Sequence, residues 1–278
     1  MSEYRAKPSR IQTQDFGYFA KLSTLLPIGL LATVLALGAG PQPAYSADDG
    51  KKVPLTKEDV FFELNHTDGD LGIHVMVDGE AWKRLKIEDP NKESILDVEV
   101  KGRLQKQGLT ELFSESAEPP FDELAPKDFF KRFPEGTYRI FGTTLDGKKL
   151  EGSSKLTHVM PAAPDNIRIS GVAAPKDCES GPVPSVGVPV VISWTPVTKS
   201  HPKVGKSAVV EIVNTEVIIE REEPDGLKIN VDVPSGTKSF VVPKELTNPG
   251  QGEEYKFEIL VREASGNQTA TESCFKLK

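Results

Sequence analysis

The residues best equipped for chemistry in the first part of the chain are Asn65-His66-Thr67-Asp68-Gly69-Asp70, with His74 four positions further on. A hard cation such as calcium needs several oxygens converging on one loop, and Asp-Gly-Asp presents two carboxylates across a glycine turn. Asp68 and Asp70 are therefore the candidate metal ligands. The D-x-D-x-D-G spacing with a closing glutamate is absent, so the loop is no EF-hand. The same residues also read as turn formers whose charges face water. His66 and His74 offer zinc two nitrogens, but no third ligand is identifiable. A second acidic stretch holds Glu111, Glu115, Glu118, Asp122 and Glu123. Two of these would suit a glycosidase if they met beside Trp82 or Tyr138, although such a run is ordinarily a solvated surface.

Machinery for nucleophilic catalysis is missing from the sequence. It contains no G-x-S-x-G elbow, no H-E-x-x-H pair and no phosphate-cradling glycine loop. The four histidines, His66, His74, His158 and His201, are too scattered to nominate a base. No catalytic residue is assigned, and a protein that is not an enzyme is expected. No cofactor is expected, with calcium at Asp68 and Asp70 as the alternative. Asn65-His66-Thr67 and Asn267-Gln268-Thr269 match the N-glycosylation sequon, which matters only in a eukaryotic secretory pathway.

The N-terminus reads as a targeting segment. Arg5, Lys7, Arg10 and Lys21 precede an apolar run, Leu22–Ala39, interrupted by Pro27 and followed by the small, turn-prone tract Gly40–Ala47. Ala44 and Ser46 fit a small-x-small cleavage site, and no cysteine is present there to take a lipid. Residues 1–46 are expected to be a signal peptide that leaves a secreted or periplasmic protein. The alternative is an uncleaved anchor, whose run of about 18 residues is short for a bilayer. Membrane contact would then be through this segment alone. Cleavage removes four basic and two acidic side chains, so the formal charge of −7 becomes −9. That charge argues against nucleic acid, because phosphate binding needs a basic face.

The two cysteines, Cys178 and Cys274, lie in the second half. An even count in an exported chain, with no CxxC and no nearby histidine, points to one disulfide.

The elements that must position these residues are nearly all strands. Val60–Asn65, Leu71–Val77 and Ile95–Gly102 alternate in polarity, as does Leu109–Glu115. Ile73, Val75 and Val77 share one face, with His74 and Met76 on the other. Asp78-Gly79 predicts a hairpin turn. Ala125-Pro126-Lys127-Asp128 followed by Phe129-Phe130 predicts one short helix with proline in its first turn. A further hairpin turns at Asp146-Gly147, and Met160–Pro164 forms a stiff joint. Beyond it, Val188–Thr195 carries Val188, Val190, Ile192 and Trp194 on one face. Tyr255–Val261 carries Tyr255, Phe257, Ile259 and Val261 in the same way. Facing strands of this kind make Trp194, Tyr255 and Phe257 core residues.

Residues 161–278 resemble a fibronectin type III domain. The likeness rests on the tryptophan of ISWTPV and on EYKFEILVREASGN, with Tyr255, Phe257, Ile259, Ala264 and Gly266 at recognisable places. It implies a seven-stranded sandwich of two antiparallel sheets. The long loop before Trp194 and the cysteine pair depart from that family. Pairing Cys178 with Cys274 would close a loop of roughly 100 residues, which is about 4.7 kcal/mol in the chain-entropy picture.

The expected protein is thus all-β, with two consecutive antiparallel β-sandwich domains after a signal peptide. Residues 47–57 form a flexible lead, 58–160 an immunoglobulin-like or other sandwich with one short helix, and 161–278 the fibronectin type III-like domain. The function expected is a non-enzymatic binding or structural module acting through surface contacts, with an unidentified protein or glycan at the cell surface as partner. The alternative is a calcium- or carbohydrate-binding accessory module that uses the Asp68–Asp70 loop.

Overall fold

A computed structural model describes residues 52–179, 181–221, 226–247 and 253–278. The targeting segment lies outside the described residues. Strands and helices are numbered in chain order. The first half contains β1 (Lys52–Pro54), β2 (Lys57–Asn65), β3 (Asp70–Glu88), β4 (Ser94–Glu99) and β5 (Leu109–Glu115). Then follow α1 (Pro126–Arg132), β6 (Gly136–Thr144) and β7 (Lys149–Leu156). Proline occupies the first turn of α1, where its missing N–H costs no hydrogen bond.

The 19-residue strand β3 organises this half. Its first part lies between β2 and β5, and its second part between β6 and β4. The register shifts around Trp82, where the strand passes from one set of partners to the other. Asp78-Gly79 therefore does not turn the chain back, contrary to the hairpin its dipeptide predicts. Ladder bonds on both edges of the continuous strand outweigh the local turn preference. A second difference concerns the lead: Lys52–Pro54, expected to be loose, pairs in parallel with Lys149–Glu151 of β7. The core gathers Phe62, Trp82, Leu85, Tyr138 and Ile140 from the strands, with Phe129 and Phe130 from α1.

The second half contains β8 (Asp165–Ile169), β9 (Val172–Ala173), β10 (Ser185–Val186), β11 (Val191–Thr195), β12 (Ile212–Arg221), β13 (Leu227–Pro234), β14 (Ser239–Val241), α2 (Lys244–Thr247), β15 (Glu254–Glu263) and β16 (Gln268–Leu277). One sheet runs β14-β11-β8-β9, and facing it stands β16-β15-β12-β13. Between them lie Ile192, Trp194, Val217, Ile219, Tyr255, Phe257 and Phe275. The Tyr255 hydroxyl donates to the Leu246 carbonyl at 3.0 Å, as does Tyr138 to Pro134 at the same distance in the first half. Each tyrosine starts a strand, fills the core with its ring and satisfies a carbonyl just upstream. Burial raises the pKa of both phenols.

The cores are separate, but the sheets are not. β2 pairs in parallel with β16, so one twelve-stranded sheet runs through both halves. The pairing matches Gln268 to Glu63, Thr269 to Leu64 and Ala270 to Asn65. Val204, from the loop before β12, packs into the first core, although it belongs to the second half of the chain.

Candidate functional site

Alternation along β2 and β3 sends Val60, Phe62 and Leu64, and Ile73, Val75 and Val77, into the core. Phe61, Glu63, Gly72, His74 and Met76 are left on the opposite face. In register, Phe61 lies across from His74 and Glu63 across from Gly72. From the other side, β5 sets Glu115 opposite His74 and Phe113 opposite Met76. The His74 imidazole sits between two aromatic rings, 5.2 Å from that of Phe61 and 5.8 Å from that of Phe113.

Just after β5 the chain is hooked back onto β3. Ser116 N–H donates to the Ile73 carbonyl at 3.1 Å, and Ile73 N–H donates to Ser116 Oγ at 3.0 Å. This turn carries Glu118 over the strand, where its Oε1 lies 3.0 Å from His74 Nε2. Gly72 makes the approach feasible, since a β carbon there would lie 2.1 Å from Glu118 Oε1. On the other edge of the ring, His74 Nδ1 is 3.6 Å from Glu63 Oε2. The side chains of His74 and Glu118 are 1 % and 2 % exposed. One ligand atom from each of His74, Glu115 and Glu118 lies within 4.8 Å of the others. Buried carboxylates are costly unless positive charge or hydrogen bonds accompany them. The cluster therefore suits a cation held beside the imidazole.

From Glu63 a polar row continues into the second half. Gln268 Nε2 donates to Glu63 Oε2, and Arg262 Nε donates to Gln268 Oε1 at 2.9 Å. Arg262 Nη2 in turn lies 3.8 Å from Glu216 Oε2. A groove of about 220 Å³ adjoins the row, lined by Phe61, Met76 and Phe113 from the first half and by Val213, Arg262 and Gln268 from the second.

Asp68 and Asp70 are separated by their turn. Asp68 is exposed, whereas Asp70 is buried at the start of β3, in an isolated bridge with Pro120. Between them Gly69 N–H donates to the Asn65 carbonyl, and the Gly69 carbonyl receives Phe121 N–H, both at 2.9 Å. Thr67 in the same turn brackets Glu272 of β16, accepting its N–H at 2.9 Å and donating to its carbonyl at 3.2 Å. The loop thus fastens β2 to both β16 and the Pro120 segment. Among the described residues, the one group with metal-ligand spacing contains neither aspartate.

The histidines separate as well. His66 lies beside His201, ring centroids 5.6 Å apart, and not beside His74. His201 Nδ1 accepts the Val204 N–H at 2.9 Å. Burial, with His66 and Lys203 nearby, lowers its pKa to about 4. Of the acidic stretch, Glu115 and Glu118 converge on His74, while Glu111, Asp122 and Glu123 stay exposed. Trp82 and Tyr138 are fully buried core residues, so neither stands beside those carboxylates as a sugar platform. Trp194, Tyr255 and Phe257 are buried in the second core. Cys178 and Cys274 form a disulfide with Cα atoms 5.7 Å apart, tying the long loop to β16. Both sequon asparagines, Asn65 and Asn267, are buried.

In the sequence, His74 and the acidic stretch stand apart, and no motif joins them. Glu63, Gly72, Ser116 and Gln268 were not foreseen. The period-2 pattern of β2 was the available signal for Glu63, because it sets that residue on the face away from Phe62 and Leu64.

No family model matches the chain, and no curated protein matches it. Among solved structures, the 47-kilodalton lipoprotein Tp47 of Treponema pallidum aligns at 13 % identity and a TM-score of 0.31, covering 82 % of this chain and 52 % of that one. The FN1–FN3 domains of chicken CNTN1 align at 9 % identity and a TM-score of 0.28, covering 80 % and 64 %. A tetra-tandem repeat from the extending region of a large adhesion protein aligns at 12 % and 0.26, covering 80 % and 50 %. The chain thus spans between half and two thirds of the length of these structures.

Proposed function

We infer that the protein is an exported, non-enzymatic binding and structural module that acts through surface contacts. The observation that carries this reading is the seam: one sheet runs through both halves and presents a groove where they meet. Two sandwiches fused through a shared sheet hold a fixed relative orientation, which suits a spacer or a presenting surface. Export is supported by the charged, apolar and small-residue order of positions 1–46 and by the Cys178–Cys274 disulfide, a bond that persists in oxidising compartments. Recognition is assigned to the groove, whose walls combine aromatic, aliphatic and polar side chains.

Two measurements together test this reading. Fractionation with intact-mass analysis should find the protein outside the cytoplasm, starting after Ser46. The immobilised protein should retain a surface protein or glycan, and Val213→Arg in the groove wall should abolish that retention. Recovery from the cytosol with residues 22–39 still attached would overturn the export reading. Undiminished capture by the Val213 variant would remove the groove from it.

A further inference from the structure

The geometry points to a divalent transition-metal site on the outer face of β3, with His74 Nε2, Glu118 and Glu115 as ligands and Glu63 orienting the imidazole from behind. Three features carry the assignment. First, the donor set is one imidazole and two carboxylates. Zinc accepts both imidazole nitrogen and carboxylate oxygen and, with three protein ligands, keeps a fourth position open to water, whereas calcium wants six to eight oxygens. Second, the spacing is nearly closed. Ligand atoms around a tetrahedral zinc are about 3.4 Å apart at bond lengths of about 2.1 Å. His74 Nε2 and Glu118 Oε1 are 3.0 Å apart, a hydrogen bond that the metal would replace as the two atoms open to ligand spacing, and the three ligand atoms lie within 4.8 Å of one another. Glu115 is the exposed member of the set.

Third, the surroundings hold the ligands in place. Gly72 leaves the space that the Glu118 carboxylate occupies, and Ser116 pins the turn that delivers it. Metal-bound histidines commonly give their second ring N–H to a carboxylate, which fixes the tautomer and raises the basicity of the ligating nitrogen. Glu63 faces His74 Nδ1 from 3.6 Å and is itself held by Gln268 of the second half. A metal here would sit beside the seam and be coupled to it through one side chain. Water or an acidic group of a bound partner would complete the coordination.

Calorimetric titration of the isolated protein, stripped with EDTA, with zinc chloride tests the site, with calcium and magnesium chloride as parallel arms. One zinc per chain is expected, with a higher melting temperature and no comparable response to calcium or magnesium. Glu115→Gln, at an exposed position where folding is not at stake, should weaken zinc at least tenfold, and His74→Ala should abolish the site. Glu63→Gln should keep the one-to-one stoichiometry, weaken binding 10- to 100-fold and shift the pH at which zinc is taken up. With cobalt substituted for zinc, the visible absorption should carry the signature of a nitrogen ligand and lose it in the His74 variant. Absence of zinc binding, or binding indifferent to both Glu115→Gln and His74→Ala, would overturn the assignment. A response confined to calcium would do the same.

Discussion

The side-chain oxygen of Asn267 accepts the backbone N–H of Phe62 at 2.8 Å, a hydrogen bond between residues 205 positions apart. The Asn267 amide nitrogen donates to the carbonyls of Thr157 and Val159, both at 2.9 Å. One fully buried side chain therefore closes backbone groups of β2 and of the segment leading into the joint, and it does so from the residue just before β16. Asn267→Ala would strand buried polar groups at about 1–3 kcal/mol each. With three such partners the expected loss is roughly 3–5 kcal/mol, measured by urea unfolding. A loss under about 0.5 kcal/mol would mean that the seam does not depend on this residue.

Gly205 makes the second tight contact of the seam. Its φ is +77°, and an added β carbon would lie 2.2 Å from the His158 carbonyl oxygen. That oxygen receives the Lys206 N–H at 2.7 Å. Gly205→Ala combines a disfavoured backbone conformation with a clash against main-chain atoms, for an expected cost of about 2–4 kcal/mol. Thermal melts of this variant and of Gly171→Ala, whose positive φ comes with open space around it, separate the clash from the backbone term.

His201 gives the protein a defined pH dependence. Its pKa falls from 6.5 to about 4 in the folded state. The unfolded chain therefore binds the extra proton between those values. Stability from the neutral, buried ring is complete above pH 6.5 and is lost as the pH drops toward 4, on the order of 2–3 kcal/mol. His201→Asn retains an acceptor for the Val204 N–H without titrating. Denaturation midpoints for this variant should show a shallower fall over that window than the parent protein.

The disulfide is tested by alkylation. Without reduction, intact mass should reveal no modified cysteine, and replacing both Cys178 and Cys274 with serine should cost about 2–5 kcal/mol. Two alkylated thiols in the unreduced protein would contradict it.

Much of the fold was legible because alternation is local. Trp194, Tyr255 and Phe257 could be assigned to a core from their own strands, and Pro126 marked the start of α1. What could not be seen came from long-range pairing. Nothing near Asp78-Gly79 announces that β3 runs on, because its partners β5 and β6 lie far along the chain. The parallel match of Glu63 with Gln268 joins residues from opposite ends of the described chain. The site suffered in the same way. His74 and the Glu111–Glu123 stretch were each conspicuous, but their meeting depends on the β3–β5 register and on the space left at Gly72. The Asp68–Asp70 loop stands out by composition, while its neighbour Thr67 makes the hydrogen bonds that reach across the seam.

The parallel β2–β16 pairing makes the two halves one mechanical unit through the shared sheet. Differential scanning calorimetry of the isolated protein at neutral pH tests it most directly. Coupled halves should unfold in a single transition whose calorimetric and van't Hoff enthalpies agree, and Asn267→Ala should split or broaden it. Two resolved transitions in the parent protein, or a calorimetric enthalpy about twice the van't Hoff value, would show that the halves unfold independently.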